Sequence, residues 1–324
     1  MITKIQYYIS PGMDPHENLA TEAYLLEHVQ PGCCILYLWR NENTVVIGRN
    51  QNPWAECRLS LLEEAGGKLA RRLSGGGAVF HDKGNLNFTF LMTTEDYDLD
   101  RQLSVIQTAC AMAGISTERS GRNDLLANGG KFSGNAFYHA QGKAYHHGTL
   151  LIDADMEKLG KFLSPSKAKL QAKGIASVRS RVINLKTLCP QLDCATMQTY
   201  MLQAFQQVYG HTATPASVPP SLPEQTARMA GEEWLYGKKL PMTFECAQHF
   251  SWGGVQVQLQ CEAGTVLDAK VYSDAMDWSL APTLEKALVG CRFRLQTLQQ
   301  AITAALPDSD TATDLCQMLK QQMP

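Results

Sequence analysis

Neither sign of charge dominates this 324-residue chain: 29 Lys and Arg against 31 Asp and Glu leave a net charge of −2. No global field therefore argues for nucleic acid or a membrane surface as a partner. The ten cysteines include no Cys-x-x-Cys pair, and the closest sets, Cys33–Cys34 and Cys189–Cys194, lack a histidine at metal-ligand spacing. That excludes a zinc ribbon or a redox dithiol and reads as buried free thiols in a reducing compartment. The N-terminal MITKIQYYISPGMDP has no sustained apolar run and breaks at Pro11, so no secretory leader is expected. The uncharged stretch Gln102–Thr117 is too short and too polar to span a bilayer. A cytoplasmic protein is expected. The common phosphate loops are missing too: there is no G-x-x-x-x-G-K-[ST], and Gly75-Gly76-Gly77 lacks the spacing of a dinucleotide fingerprint.

What remains is an ordinary globular composition, 44% hydrophobic and 19% charged, long enough for two domains. Asp14-Pro15 caps a helix over 15–28, with Leu19, Ala23 and Leu26 at helical spacing. Ile35–Trp39 and Thr44–Ile47 read as strands joined by a hairpin through Arg40–Asn43. A short helix is expected near 56–65. Asp82-Lys83-Gly84 has hairpin-turn chemistry, and Leu86, Phe88 and Phe90 alternate with Asn85, Asn87 and Thr89, one apolar and one polar face. Helices follow over 101–113, 155–162 and 195–209, and strands over 122–127, 132–138 and 144–152. Four prolines between Thr212 and Pro223 keep that stretch extended. Period-two runs 254–260 and 265–272, then helices near 282–289, 294–305 and 310–322, describe a small α/β domain. The expected boundary separates a catalytic domain, 1–245, from an accessory domain, 246–324.

Three constellations carry chemistry. Arg71-Arg72 precede the glycine run and His81 follows it; amides freed of Cβ crowding approach phosphate closely, and a guanidinium offers paired donors. A triple glycine by itself reads equally as a bulge. In the second, Gly121-Arg122-Asn123-Asp124 leads to Gly129-Gly130-Lys131-Phe132-Ser133-Gly134, where a compact ammonium between glycines suits a carboxylate and a phosphate together. Asp124 reads either as an oxygen ligand for Mg²⁺ or as a turn aspartate. In the third, eight basic and no acidic residues lie between Lys158 and Leu192, which implies a polyanion or an ordinary solvated face.

These blocks, in this order, resemble the lipoate–protein ligase A family. The resemblance rests on RRLSGGGAVFHDKGNLNF (71–88), GRNDLL (121–126), KFSGNA (131–136), YHHGTLL (145–151), KGIASVRSRVINL (173–185), LWRNENTVVIGRNQNPW (38–54) and SWGGV (251–255). It spans nearly the whole chain. It departs at Leu73, where many members carry a polar or basic residue, and at Asn135, where many carry serine.

The resemblance implies an α+β fold, a mixed sheet akin to biotin–protein ligase catalytic domains with a small C-terminal domain. It implies that Lys131 contacts both the acyl carboxyl and the nucleotide. Arg72, Gly75, Gly76, Gly77, Ala78, Val79, Phe80, Asn123 and Asp124 would line the ATP site. Trp39, His81, Phe137 and His147 join Lys131 around lipoate, and Lys173, Arg179 and Arg181 belong to a loop over the adenylate. ATP and Mg²⁺ are the expected co-reactants, with no bound prosthetic group. The expected partners are lipoic acid, octanoic acid as a second acyl donor, and apo lipoyl domains of 2-oxoacid dehydrogenase E2 subunits and the glycine cleavage H protein, not nucleic acid or membrane. His147 reads as a proton acceptor or as a satisfied structural histidine. Two other readings stay open, a transferase working from a pre-activated acyl donor and a non-catalytic adenylate-binding module; the absence of cysteine between Cys110 and Cys189 disfavours the first.

Overall fold

The structure, a computed structural model, describes residues 1–121, 124–164, 182–237 and 239–323. The chain divides into two compact units. One comprises Met1–Val46, Trp54–Arg71 and Val79–Leu235; the other comprises Ile47–Pro53, Arg72–Ala78 and Tyr236–Pro324.

The first unit is built on a mixed eight-stranded sheet. Its strands are β1 (Lys4–Ile9), β2 (Cys33–Trp39), β6 (Asn85–Thr93), β7 (Thr117–Ser120), β8 (Asp124–Ala127), β9 (Gly130–Ala140), β10 (Lys143–Leu151) and β11 (Thr214–Pro215), in the order β11-β1-β2-β6-β10-β9-β8-β7. β1 runs parallel to β2 and β11, and the remaining pairs are antiparallel. A second, three-stranded sheet orders β4 (Lys68–Arg71), β3 (Thr44–Ile47) and β5 (Val79–His81) as β4-β3-β5.

All nine residues of β6 are buried, which requires cover on both faces of the large sheet. Directly opposed residues of an antiparallel pair share a face. Leu86, Phe88, Phe90 and Met92 therefore join Leu36, Leu38 and His146 on one face, packed in one core with Val105, Ile106, Met197, Met201 and Phe205 from the helices Leu99–Met112 and Cys194–Tyr209. Asn85, Asn87 and Thr89 join Trp39, Tyr37, His147 and Thr149 on the other. The helix Pro15–His28, called α1 here, lies over that second face through Asn18 and Glu22. Its Asp14 cap accepts from the His16 and Glu17 amides, as the Asp-Pro start predicts.

Two expected hairpins are not hairpins. β2 and β3 enter different sheets, and Arg40–Asn43 crosses between them with the Asn41 side chain fully buried against Asn18 and His81. Asp82-Lys83-Gly84 does turn, with Asn85 N–H donating to Asp82 O at 3.1 Å, but β5 and β6 on its two sides also belong to different sheets. Gly84 O instead accepts from the Ile152 and Asp153 amides, which anchors the turn to the end of β10. Turn chemistry is local, whereas strand partners depend on which faces must be buried.

The second unit stacks the antiparallel strands β12 (Phe244–Phe250), β13 (Gly253–Glu262) and β14 (Thr265–Ser273) on the helices Leu280–Leu288, Leu295–Ala305 and Asp310–Gln322. Val255, Val257, Leu259 and Val271 meet Leu284, Leu298, Leu315 and Met318 in its core. Side chains guard both sheet edges: Gln322 bonds the Ala247 N–H and C=O, and Glu285 accepts from Val271 N–H. No helix among the described residues is long and apolar enough to cross a membrane.

His146, fully buried, sits with Nδ1 3.0 Å from Gln102 Oε1 and Nε2 2.8 Å from Asn135 Oδ1. A neutral ring donates from one nitrogen and accepts at the other, so one of the two amides presents its NH₂. Burial, then the neighbouring His147, pushes its pKa down to about 3. The unfolded chain protonates this imidazole below about 6.5 while the folded chain does not, so stability falls as pH drops from there toward 3. We expect urea midpoints measured from pH 7 to pH 4.5 to fall for the wild type and to fall less steeply for His146→Gln, the full contribution of the group being about 1.4 kcal/mol per pH unit.

Candidate active site

The polar face of the large sheet carries Trp39, Asp124, Lys131 and His147 among the residues that the motifs single out. Trp39 Nε1 donates to Thr89 Oγ1 at 3.0 Å, and Thr89 Oγ1 donates to Glu22 Oε1 at 2.7 Å. His147 Nδ1 lies 2.8 Å from the same Glu22 oxygen. Glu22 is 1% exposed, so a buried carboxylate is held by a hydroxyl and an imidazole while the indole fixes the hydroxyl. His81 stands beside this relay, its ring 6.0 Å from Trp39 and its Nδ1 3.2 Å from Asn41 Nδ2. His147 is thus tied into the buried network through Nδ1.

Lys131 lies at the β8–β9 end of the same face. Asp124 opposes Gly134 in register, and Lys131 Nζ lies 2.6 Å from Asp124 Oδ1. A Cβ on Gly134 would stand 3.2 Å from Lys131 Cε and Nζ, so the glycine leaves room for the lysine to lie back across β9. The Gly134 N–H donates to Thr149 Oγ1 at 3.3 Å, and Thr149 opposes Asn87, which opposes Trp39. Asp124, Lys131, Gly134, Thr149, Asn87 and Trp39 therefore form a row across five strands. Lys131 and Asp124 are each about one-third exposed (34% and 32%), which marks this end of the row as open to solvent.

Other expected residues fall elsewhere. Phe137 opposes His146, with ring centroids 5.2 Å apart, on the helix-covered face opposite Trp39 and His147. Asn135 bonds His146 and points the same way. The Phe80 side chain packs 5.4 Å from Phe162, and Val79 opposes Val46 in the small sheet. Asn123, Lys173, Arg179 and Arg181 lie outside the described residues. The Asp124 carboxylate, the candidate oxygen ligand for Mg²⁺, is paired with the Lys131 ammonium. Among the described residues no three His, Cys, Asp or Glu side chains gather to hold a metal.

The glycine run belongs to the second unit and is shaped there by the segment after β14. Gly76 N–H donates to Ala275 O at 3.0 Å, and a Cβ on Gly75 would stand 2.4 Å from that oxygen. Arg72 spans the loop, donating to Ser74 Oγ at 3.1 Å and to Gly75 O and Gly77 O at 2.8 Å each. In this state the guanidinium holds the loop's shape, with Ala78 directly beyond it.

Sequence reasoning missed Glu22, although the signal was present. It sits between Leu19 and Leu26 at helical spacing, a carboxylate on the apolar stripe of α1.

Residues 14–206 match the family described as the lipoyl protein ligase A/B catalytic domain, and residues 240–319 match the bacterial lipoate protein ligase C-terminus. The chain is 39% identical over 310 residues to lipoate-protein ligase A of Bdellovibrio bacteriovorus, covering 92% of this chain and 91% of that protein. Among solved structures, P. falciparum LipL1 in complex with lipoate is similar at TM-score 0.86 and 25% identity, over 98% of this chain and 99% of that one. Ta0514 of T. acidophilum, a putative lipoate protein ligase with bound lipoic acid, shares the fold at TM-score 0.63 and 22% identity, over 74% of this chain and 100% of that one.

The relay itself is testable through its hydroxyl. Thr89→Val strands the Trp39 N–H and removes one of the two donors to Glu22, so unfolding should become easier by about 1–3 kcal/mol. Thr89→Ser, which keeps the hydroxyl, should recover most of that loss in urea denaturation followed by tryptophan fluorescence.

Proposed function

The chain belongs to the lipoate–protein ligase A family, and from that premise we propose that it converts free lipoate to lipoyl-AMP with ATP. It then passes the lipoyl group to a lysine of a lipoyl domain, E2 subunits and the glycine cleavage H protein being the acceptor class. Octanoate, the same carboxylate on a straight chain, is a second acyl substrate under this reading.

A carboxylate and an amine do not condense usefully in neutral water, so the carboxyl must first become an anhydride. One lipoate oxygen attacks the α-phosphorus of ATP in line, the bond to the β-phosphate oxygen breaks, and pyrophosphate leaves. Two anions approach in that step, so catalysis is chiefly positioning and charge neutralisation. The observation that carries the reading is the Lys131 ammonium laid across Gly134 at the open end of a row whose other end, Asn87 and Trp39, is buried. Under this reading Lys131 meets the carboxylate and the phosphate, exchanging Asp124 for them.

Arg72 and the backbone of Gly75, Gly76, Gly77, Ala78, Val79 and Phe80 are assigned to the nucleotide, together with Asn123. Asp124 is assigned to positioning the lysine. Mg²⁺ would arrive on the nucleotide's phosphates. Trp39, His81 and His147 are assigned to the wall of the acyl site. Lys173, Arg179 and Arg181 are assigned to covering the adenylate, where excluding water would protect the anhydride.

In the second step a neutral lysine amine attacks the acyl carbon, the bond to the AMP oxygen breaks, the nitrogen gives up one proton to solvent, and an amide and AMP result. This route needs no enzyme thiol. The cysteines suit that: Cys33 alone shares the polar face near its β1 side, at the far end of β2 from Trp39, and burial raises its pKa.

Lipoate-dependent ATP–pyrophosphate exchange tests the reading directly. Lys131→Ala should lower the exchange by ~10² or more, as when a preorganised charge partner is removed. Near-normal exchange in that variant, or none in the wild type, would sink the proposal.

A further inference from the structure

β6 carries two asparagines on the polar face that are satisfied only in part. Asn85 Nδ2 donates to Asn87 Oδ1 at 2.9 Å, which sets the orientation of the Asn87 amide. The Asn87 Nδ2 that remains is buried and has no hydrogen-bond partner among the described residues. Asn87 is 1% exposed. A buried amide N–H without an acceptor gives up the bond it had in water, and native proteins rarely leave one so. Such a group awaits an acceptor that the described residues do not supply.

Its position says what that acceptor is. Asn87 opposes Trp39 on β2 and Thr149 on β10. Thr149 is bonded to Gly134, over which Lys131 lies. The unused donor therefore faces the same side of the sheet as the ammonium, between it and the indole. A group that spans a cation and a neutral N–H donor on one face is an oxygen-bearing anion, and the proposed substrate brings its carboxylate here.

We propose that Asn87 is a substrate-binding residue whose Nδ2–H donates to the acyl oxygen, first of the carboxylate and then of the adenylate's carbonyl. The inference rests on the acyl-activating reading above. Asn85 is the positioning residue that keeps Asn87's oxygen engaged and leaves its nitrogen as the unused donor. In the second step the same donor would stabilise the negative charge that builds on the carbonyl oxygen as the amine adds.

The test uses the full-length protein with Asn87→Leu, which removes the donor, and Asn87→Asp, which replaces it with an acceptor and a charge. Dissociation constants are measured by calorimetry for lipoate, octanoate, lipoamide and a non-hydrolysable ATP analogue, beside pyrophosphate exchange. Asn87→Leu should weaken lipoate and octanoate alike by about ten- to a hundredfold, the loss expected of one hydrogen bond to a charged group, and leave the ATP analogue unchanged. Asn87→Asp should weaken lipoate more than uncharged lipoamide, a difference that a merely structural role does not produce. It carries the test alone if the leucine variant fails to fold.

Unchanged lipoate binding in a folded variant would overturn the assignment, as would a loss confined to lipoate, which would move the contact to the dithiolane. Equal losses for lipoate and lipoamide in Asn87→Asp would overturn it too. Asn87-sensitive carboxylate binding without wild-type exchange would sink the ligase reading alone. Normal exchange with Asn87-insensitive binding would sink this inference alone.

Discussion

The first unit depends on one constraint: β6 is buried along its whole length, yet only every second residue is apolar. The apolar set costs nothing to bury and joins the helical core. The polar set must find partners inside the protein, because each buried group left unpaired costs about 1–3 kcal/mol. Glu22 of α1 meets much of that demand by taking both Thr89 and His147. Asn18 does the same further along α1 for Tyr37 and Asn41. A helix with polar groups on its buried stripe and a strand with a polar face are thus one feature seen from two sides. The solution stops short at Asn85 and Asn87, each of which keeps one buried polar atom without a partner among the described residues.

The second unit shows a different constraint, set by backbone rather than side chains. Gly75 admits no Cβ against Ala275 O, and Gly76 takes a left-handed φ of +86°, so the glycine run is specified by close approach and by conformation together. Arg72, directly after β4, closes the loop by collecting its carbonyls. A loop fixed this way keeps its amides in one arrangement, which is what recognition of a phosphate by backbone donors requires.

Much of this was legible in the residues. The alternation through 85–90 announced a two-faced strand, Asp14-Pro15 announced α1, and the glycines around Lys131 marked it out. The C-terminal period-two runs and helices lie within a few residues of β13, β14 and the last three helices. What was not legible concerned parity and partners. Phe137 and His147 look alike as candidates for one pocket, but Phe137 opposes His146, so one residue of offset sends them to opposite faces. Asn135 follows Phe137 for the same reason. The turns at 40–43 and 82–84 have sound local chemistry, and nothing local says that the flanking strands belong to different sheets. Glu22 was overlooked because a glutamate on a helix is usually solvated, and only the buried polar face opposite it makes a buried carboxylate affordable.

The weak hold on Lys131 is itself informative. An ion pair about one-third exposed contributes about 0.2–1 kcal/mol, since water screens it and the lysine stem pays entropy to stay put. Asp124 therefore keeps the ammonium in place at little cost to release. Under the proposed function, a ligand carboxylate exchanging for Asp124 loses almost nothing in the swap. It gains the undivided interaction once water is excluded and the effective dielectric falls. A deeply buried pair would have been the wrong device, because separating it would cost several kcal/mol before any substrate bound. The one-third exposure of these two residues is thus what the exchange proposed for Lys131 requires, in contrast to the fully enclosed Glu22.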